Sequence, residues 1–97
     1  MKDPKPVYFV KKISIHDVVN KALHNQYILD DEKNITDKNN NTPLHMYLKT
    51  TNDPNIDIMN KLITLNALNT QNTKNNYFPL NYYIKKSTTP KLNIIRI

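Results

Sequence analysis

The segment Pro43-Leu44-His45-Met46-Tyr47-Leu48-Lys49 returns 36 positions later as Pro79-Leu80-Asn81-Tyr82-Tyr83-Ile84-Lys85. The same spacing pairs Pro54 with Pro90, Ile56 with Leu92, Ile58 with Ile94 and Met59 with Ile95. Between Thr42/Phe78 and Lys61/Ile97, six positions are identical; chance gives roughly one or two, even for a composition biased toward Asn, Lys, Ile and Thr. Asp17-Val18-Val19-Asn20-Lys21-Ala22-Leu23 matches Asp57-Ile58-Met59-Asn60-Lys61-Leu62-Ile63 at a spacing of 40, and Pro6 to Lys12 matches Pro43 to Lys49 more loosely at 37. A chain that repeats itself at such a period is built from stacked supersecondary units, each burying its apolar face against its neighbours.

Each unit reads as a proline-led helix, a loop, a second helix and a polar loop. Proline suits a first helical turn, where its missing N–H has no partner to lose. Thr42, Asp53 and Thr89 each precede a proline as candidate caps. In the second helices, Val18, Val19, Ala22 and Leu23, then Ile58, Met59, Leu62 and Ile63, form apolar stripes at helical spacing, and their adjacent pairs deny strand alternation. The pattern predicts an all-α solenoid of about two and a half helix-loop-helix units, at approximately 6–36, 37–72 and 73–97, the last truncated. Paired helices are expected near 6–12 and 15–25, 43–50 and 54–65, and 79–87 and 90–97. The stretch from Gln26 to Thr36 holds the first unit's extra residues as loop.

Composition excludes several chemistries. Of 97 residues none is Gly, which leaves no phosphate loop or dinucleotide turn, and none is Cys, which leaves no disulfide or thiolate metal site. The missing Cys fits a reducing compartment such as the cytoplasm. The longest apolar run near the N-terminus, Val7 to Val10, is too short for a signal segment or a membrane span. The net charge of +6 comes almost entirely from lysine; Arg96 is the only arginine. That balance fits a solvated surface better than a nucleic-acid interface, which favours arginine for bidentate contacts.

Asp37-Lys38-Asn39-Asn40-Asn41-Thr42-Pro43-Leu44-His45 resembles the ankyrin-repeat signature, in which an acidic turn with glycine leads into Thr-Pro-Leu-His. The long interhelical loop from Thr50 to Asn55 and the tyrosine-rich first helices look like the ankyrin proteins of poxviruses. The sequence departs from the family in four respects, one being Tyr47 and Tyr83 where the first helix usually has small residues. Asn40 and Asn66 stand where the family has glycine, as the residue type that best tolerates a left-handed backbone. Phe78 and Asn81 replace Thr and His in the third unit. One residue is inserted before Tyr77.

The resemblance implies a protein-protein interaction module and no catalysis. It implies that the concave face, made of loop tips and first helices, binds a partner protein through Lys38, Asn39 and Asn41, Lys49 and Thr50, Lys74 and Tyr77, and Lys85 and Lys86. These lysines favour a partner with an acidic surface, a host protein in host cytoplasm if the chain is viral. The resemblance also makes His45 a structural histidine that bonds neighbouring loops. No cofactor, membrane or small-molecule substrate is expected.

The remaining candidates carry less chemistry. His16 and His24 lie eight residues apart, too far for a helical zinc pair, and read as exposed. Asp30-Asp31-Glu32 reads as a solvated loop with no glycine turn to build a calcium site. Ser14 and Ser87 have no activating His–carboxylate pattern. Tyr47, Tyr82 and Tyr83 are expected in the core, with Tyr77 at a loop tip as a binding anchor. Two other readings stand beside this one: a basic nucleic-acid-binding module, and a truncated remnant of a longer ankyrin protein. Neither end has a polar capping unit, so Val7, Phe9 and Val10 at one end and Ile94 and Ile95 at the other lead us to expect marginal stability, self-association, or folding only with a partner.

Overall fold

The structure is a computed structural model, and it describes residues 13–86. It is all helical: among the described residues there is no strand. Six helices follow one another, α1 Ile15–Leu23, α2 Asp30–Lys33, α3 Pro43–Thr50, α4 Ile56–Leu62, α5 Leu65–Leu68 and α6 Pro79–Lys86. The expected helices at 6–12 and 90–97 lie outside the described residues.

Local chemistry sets most helix starts. Ser14 caps α1 in a reciprocal box: Asp17 N–H donates to Ser14 Oγ at 3.2 Å, and Ser14 N–H donates to Asp17 Oδ2 at 2.9 Å. Thr42 and His45 repeat the device at α3. Asn55 caps α4 by accepting from the N–H groups of Asp57 and Ile58, so the helix begins at Ile56, two residues later than Pro54 leads one to expect. The N–H of Asn55 donates to the Tyr47 hydroxyl at 2.8 Å. Tyr47 thus fixes the entry to the second helix of its own unit while its ring sits in the core.

A chain without glycine must end its helices otherwise. At α1, Asn25 takes the left-handed conformation with φ 56°. Gln26 N–H reaches Lys21 O at 2.8 Å and Asn25 N–H reaches Ala22 O at 3.3 Å, the paired bonds of a Schellman ending. Among the described residues, Asn40 and Asn76 are the other left-handed ones. Asn66, expected to share that role, does not: it lies inside α5. The second helix of this unit stops at Leu62 instead, and Ile63 and Thr64 run extended. Thr64 then caps α5 by accepting from Ala67 N–H. The expected helix over 54–65 is therefore two helices joined by a β-branched, cap-forming pair.

The expected loop over Asp30-Asp31-Glu32 is also corrected, since these residues form the single turn of α2. Glu32 closes that turn by accepting from Leu29 N–H and pairs with Lys21 Nζ at 2.9 Å. The bond from Lys21, helped by Leu29, holds the Glu32 carboxyl below its ordinary range.

Packing centres on α3, which lies against α1, α4 and α6, while α1 also meets α4. Val18, Val19, Ala22, Leu44, Leu48, Met59 and Leu62 are buried with Tyr47, Tyr82 and Tyr83, as the apolar stripes require. Leu23, on the same stripe by spacing, is instead 52% exposed. The internal repeat is visible as α1–α2–loop–α3 followed by α4–α5–loop–α6. The spacing of 40 between α1 and α4 shortens to 35 between α2 and α5. The first unit thus carries five extra residues, in the segment holding the strongly exposed Tyr27.

Candidate functional site

The two loops leading into α3 and α6 are built alike. Asp37 Oδ1 accepts from Asn39 N–H and Asn41 N–H, both at 2.9 Å, and its Oδ2 accepts from Asn41 Nδ2 at 3.1 Å. Burial pushes this carboxyl up, but the bonds from Asn41 and Asn39 together outweigh burial and hold it below its ordinary range. Asn72 does the same work one unit later: its Oδ1 accepts from Asn75 N–H at 3.1 Å and Tyr77 N–H at 3.0 Å. Asn40 turns the first loop with φ 63°, and Asn76 turns the second with φ 57°. The second loop is one residue longer, because three residues rather than two separate the anchor from the turning asparagine.

The loops are bonded to each other as well as to themselves. Thr73 N–H donates to Asn39 O at 2.8 Å, and Asn40 Nδ2 donates to Gln71 O at 2.9 Å. Asn72 Nδ2 divides its two hydrogens between Asn41 Oδ1 at 2.9 Å and the Tyr82 hydroxyl at 2.7 Å. His45, with no exposed surface, completes the link. Its Nδ1 accepts from Thr42 N–H at 3.0 Å, so the ring proton sits on Nε2 and donates to Tyr77 O at 2.8 Å. Burial lowers the His45 pKa, against the raising effects of the Tyr77 carbonyl and the Asp37 charge. Asn81 reproduces half of the His45 arrangement, accepting from Phe78 N–H at 2.7 Å.

The residues expected to bind a partner fall into three situations. Lys38 and Lys74 are exposed at the tips of the two stacked loops, and Lys49 is exposed in the last turn of α3. Tyr77 and Lys85 are brought into contact: Lys85 Nζ donates to the Tyr77 hydroxyl at 3.0 Å and lies 5.6 Å from the ring centre, and that bond raises the Lys85 pKa. The Tyr77 ring also packs edge-on against Tyr82, with centroids 5.1 Å apart. It is a partly buried wall of the face rather than a projecting side chain. Asn39, Asn41 and Thr50 are engaged within the fold. Asn39 and Asn41 serve the ladder between loops, and the Thr50 hydroxyl donates to Met46 O at 2.8 Å. The side chain of Lys86 is outside the described set.

Asn72 and Gln71 belong to this ladder but did not stand out in the sequence, and Tyr82, expected only in the core, adds its hydroxyl to it. The signal for Asn72 was its place 35 residues after Asp37, hidden because the obvious repeat runs at 36.

Two grooves lie elsewhere. One of about 270 Å³ runs between α1 and α3, lined by His16, Val19, Asn20, Leu23, Met46 and Thr50. Another of about 500 Å³ lies behind α4, with Tyr27, Lys33 and Lys61 among its walls. Among the described residues, no three His, Asp or Glu side chains gather as a metal site requires, and no helix is long and apolar enough to cross a membrane. Comparison with protein-family models, curated proteins and solved structures finds no match.

Proposed function

We propose that the chain is an ankyrin-type repeat module that binds the acidic surface of a partner protein through its loop tips and first helices. The observation that carries this reading is the hydrogen-bonded ladder from the Asp37 loop to the Asn72 loop. It holds two exposed tips, each bearing a lysine, at matching places in consecutive units. Loops positioned by a rigid scaffold are where binding residues concentrate, and fixing a loop before association lowers the ordering cost of binding. The exposed lysines Lys38, Lys49, Lys74 and Lys85 favour an acidic counterpart.

The test is charge reversal at matched positions. Lys49→Glu with Lys85→Glu is expected to leave helix content unchanged by circular dichroism. Immobilised wild type and double variant would then be exposed to the same cell lysate, and retained proteins identified by mass spectrometry. Acidic proteins held by the wild type and lost from the variant support the reading. Equal retention by both would remove Lys49 and Lys85 from the binding face.

A further inference from the structure

We infer that the groove behind α4 is a second binding site, which takes an extended peptide segment carrying one carboxylate. The groove shares no residue with the loop tips, so its occupancy is independent of the partner proposed for that face.

The first unit's extra residues build this groove. Residues 24–29 link α1 to α2, whereas Ile63 and Thr64 alone link α4 to α5. Four of the lining residues, 25–28, come from the longer link, and Asn60 and Lys61 come from α4. A two-residue link cannot supply a counterpart of that wall. The wall is also fixed in place. Asn25 turns it with φ 56°, Gln26 N–H donates to Lys21 O at 2.8 Å, and Ile28 is anchored at 8% exposure. Leu29 N–H, at its far end, donates to Glu32. A link held this way loses little freedom when a ligand docks.

The exposed groups suit a peptide. Tyr27 is 82% exposed on this otherwise anchored link and offers its ring to an incoming side chain. Among the described residues, the side-chain amides of Asn25, Gln26 and Asn60 are committed to no other group. Each carries donors and an acceptor, the complement of the N–H and C=O groups of an extended segment. The volume of about 500 Å³ falls within the roughly 300–1,000 Å³ of ligand sites.

Charge sets the number of anions. Lys61 has no ion pair among the described residues, whereas Lys33 is already held by Asp30 Oδ1 at 3.3 Å. One uncommitted ammonium suits one carboxylate. A nucleotide base stacks on aromatic rings too, but its phosphate brings a charge of about −1.5 to −2 and meets the Asp30 carboxylate at Lys33.

The test is a nuclear magnetic resonance titration of the isotope-labelled full-length chain. The probes are the blocked peptide acetyl-Ala-Val-Glu-Val-Ala-amide, its glutamine counterpart, and adenosine monophosphate. The glutamate peptide is expected to shift the side-chain amide signals of Asn25, Gln26 and Asn60 at millimolar concentration. It should bind about threefold to fivefold more tightly than the glutamine peptide, as one exposed ion pair allows. In Lys61→Gln that preference falls to parity, and in Tyr27→Ala both peptides weaken alike. Neither side chain is buried, so circular dichroism should be unchanged in both variants. The inference is overturned if the groove signals do not move, if the two peptides bind the wild type equally, or if either variant binds as the wild type does. It is equally overturned if adenosine monophosphate moves the same signals at lower concentration than the glutamate peptide.

Discussion

His45 Nε2 donates to the carbonyl oxygen of Tyr77, 32 residues away, at 2.8 Å, so one buried imidazole ties the start of α3 to the end of the following loop. Its Nδ1 is held at the same time by Thr42 N–H. Replacing His45 with Leu leaves the buried Thr42 N–H without its partner, costing roughly 1–3 kcal/mol, and removes one of the two bonds to Tyr77 O, which keeps Asn72 N–H, for about 1 kcal/mol more. His45→Leu is expected to destabilise the fold by about 2–4 kcal/mol in urea melts. A loss below about 0.5 kcal/mol would mean that the link contributes little.

The same residue sets an expected pH response. Burial favours neutral His45, so its folded pKa lies below the ordinary 6.5. The folded state then binds fewer protons than the unfolded state between those two values, and stability rises with pH there. The contribution is complete above about pH 6.5 and is lost as pH falls through the folded value. Asp37 adds a second loss below its ordinary 3.8. Urea melts across pH 3–8 should show the first decline in the wild type and not in His45→Gln.

Asn40 and Asn66 make opposite predictions despite equal standing in the sequence. Asn40 has φ 63° and bonds Gln71 O, while Asn66 is helical and exposed. Left-handed backbone costs residues with a Cβ roughly 1–2 kcal/mol, and the lost bond adds about 1 kcal/mol. Asn40→Ala is expected to lower stability by about 1–3 kcal/mol, and Asn40→Gly by less. Asn66→Ala should fall within about 0.5 kcal/mol of wild type. Thermal unfolding of the three variants decides the order.

Tyr47 joins core burial to a single polar contact, its hydroxyl accepting from Asn55 N–H at 2.8 Å. Tyr47→Phe keeps the ring and removes the acceptor, for an expected cost of about 0.5–1.5 kcal/mol. Hydrogen exchange at the Asn55 amide should speed up by more than it does at the first amides of α6.

The helices were legible because their signals are local. Thr42 before Pro43 marked the start of α3, and Val18, Val19, Ala22, Met59 and Leu62 marked the buried face by spacing alone, whereas the Ser14–Asp17 box at α1 came to light only in the structure. The break after Leu62 was not legible, because Ile63 continues the apolar stripe and only Thr64, acting as a new cap, ends it. The exposure of Leu23 escaped for a different reason: spacing identifies the stripe but not whether a neighbour covers its last member. At the candidate face, lysine identity marked what is exposed, but the use of Asn39, Asn41 and Thr50 inside the fold depends on contacts 4 to 34 residues away. The role of Asn72 was concealed by the extra residue in its loop.

That extra residue separates what this architecture can change from what it must keep. Lengthening a flexible loop by one residue costs only a few tenths of a kcal/mol, since even doubling adds about 0.6, and the Asn72 side chain spans the longer loop as Asp37 spans the shorter. An insertion inside α3 has no such absorber. One added residue between Pro43 and Leu48 turns everything after it by about 100° about the helix axis, which carries Leu48 out of the core and Lys49 off its face. Length can therefore drift in the loop between Asn72 and Asn76, and side chains can drift at the exposed Lys38 and Lys74, while Thr73 and Asn75 are tied to Asn39 and Tyr82 and the helices beneath admit no insertion.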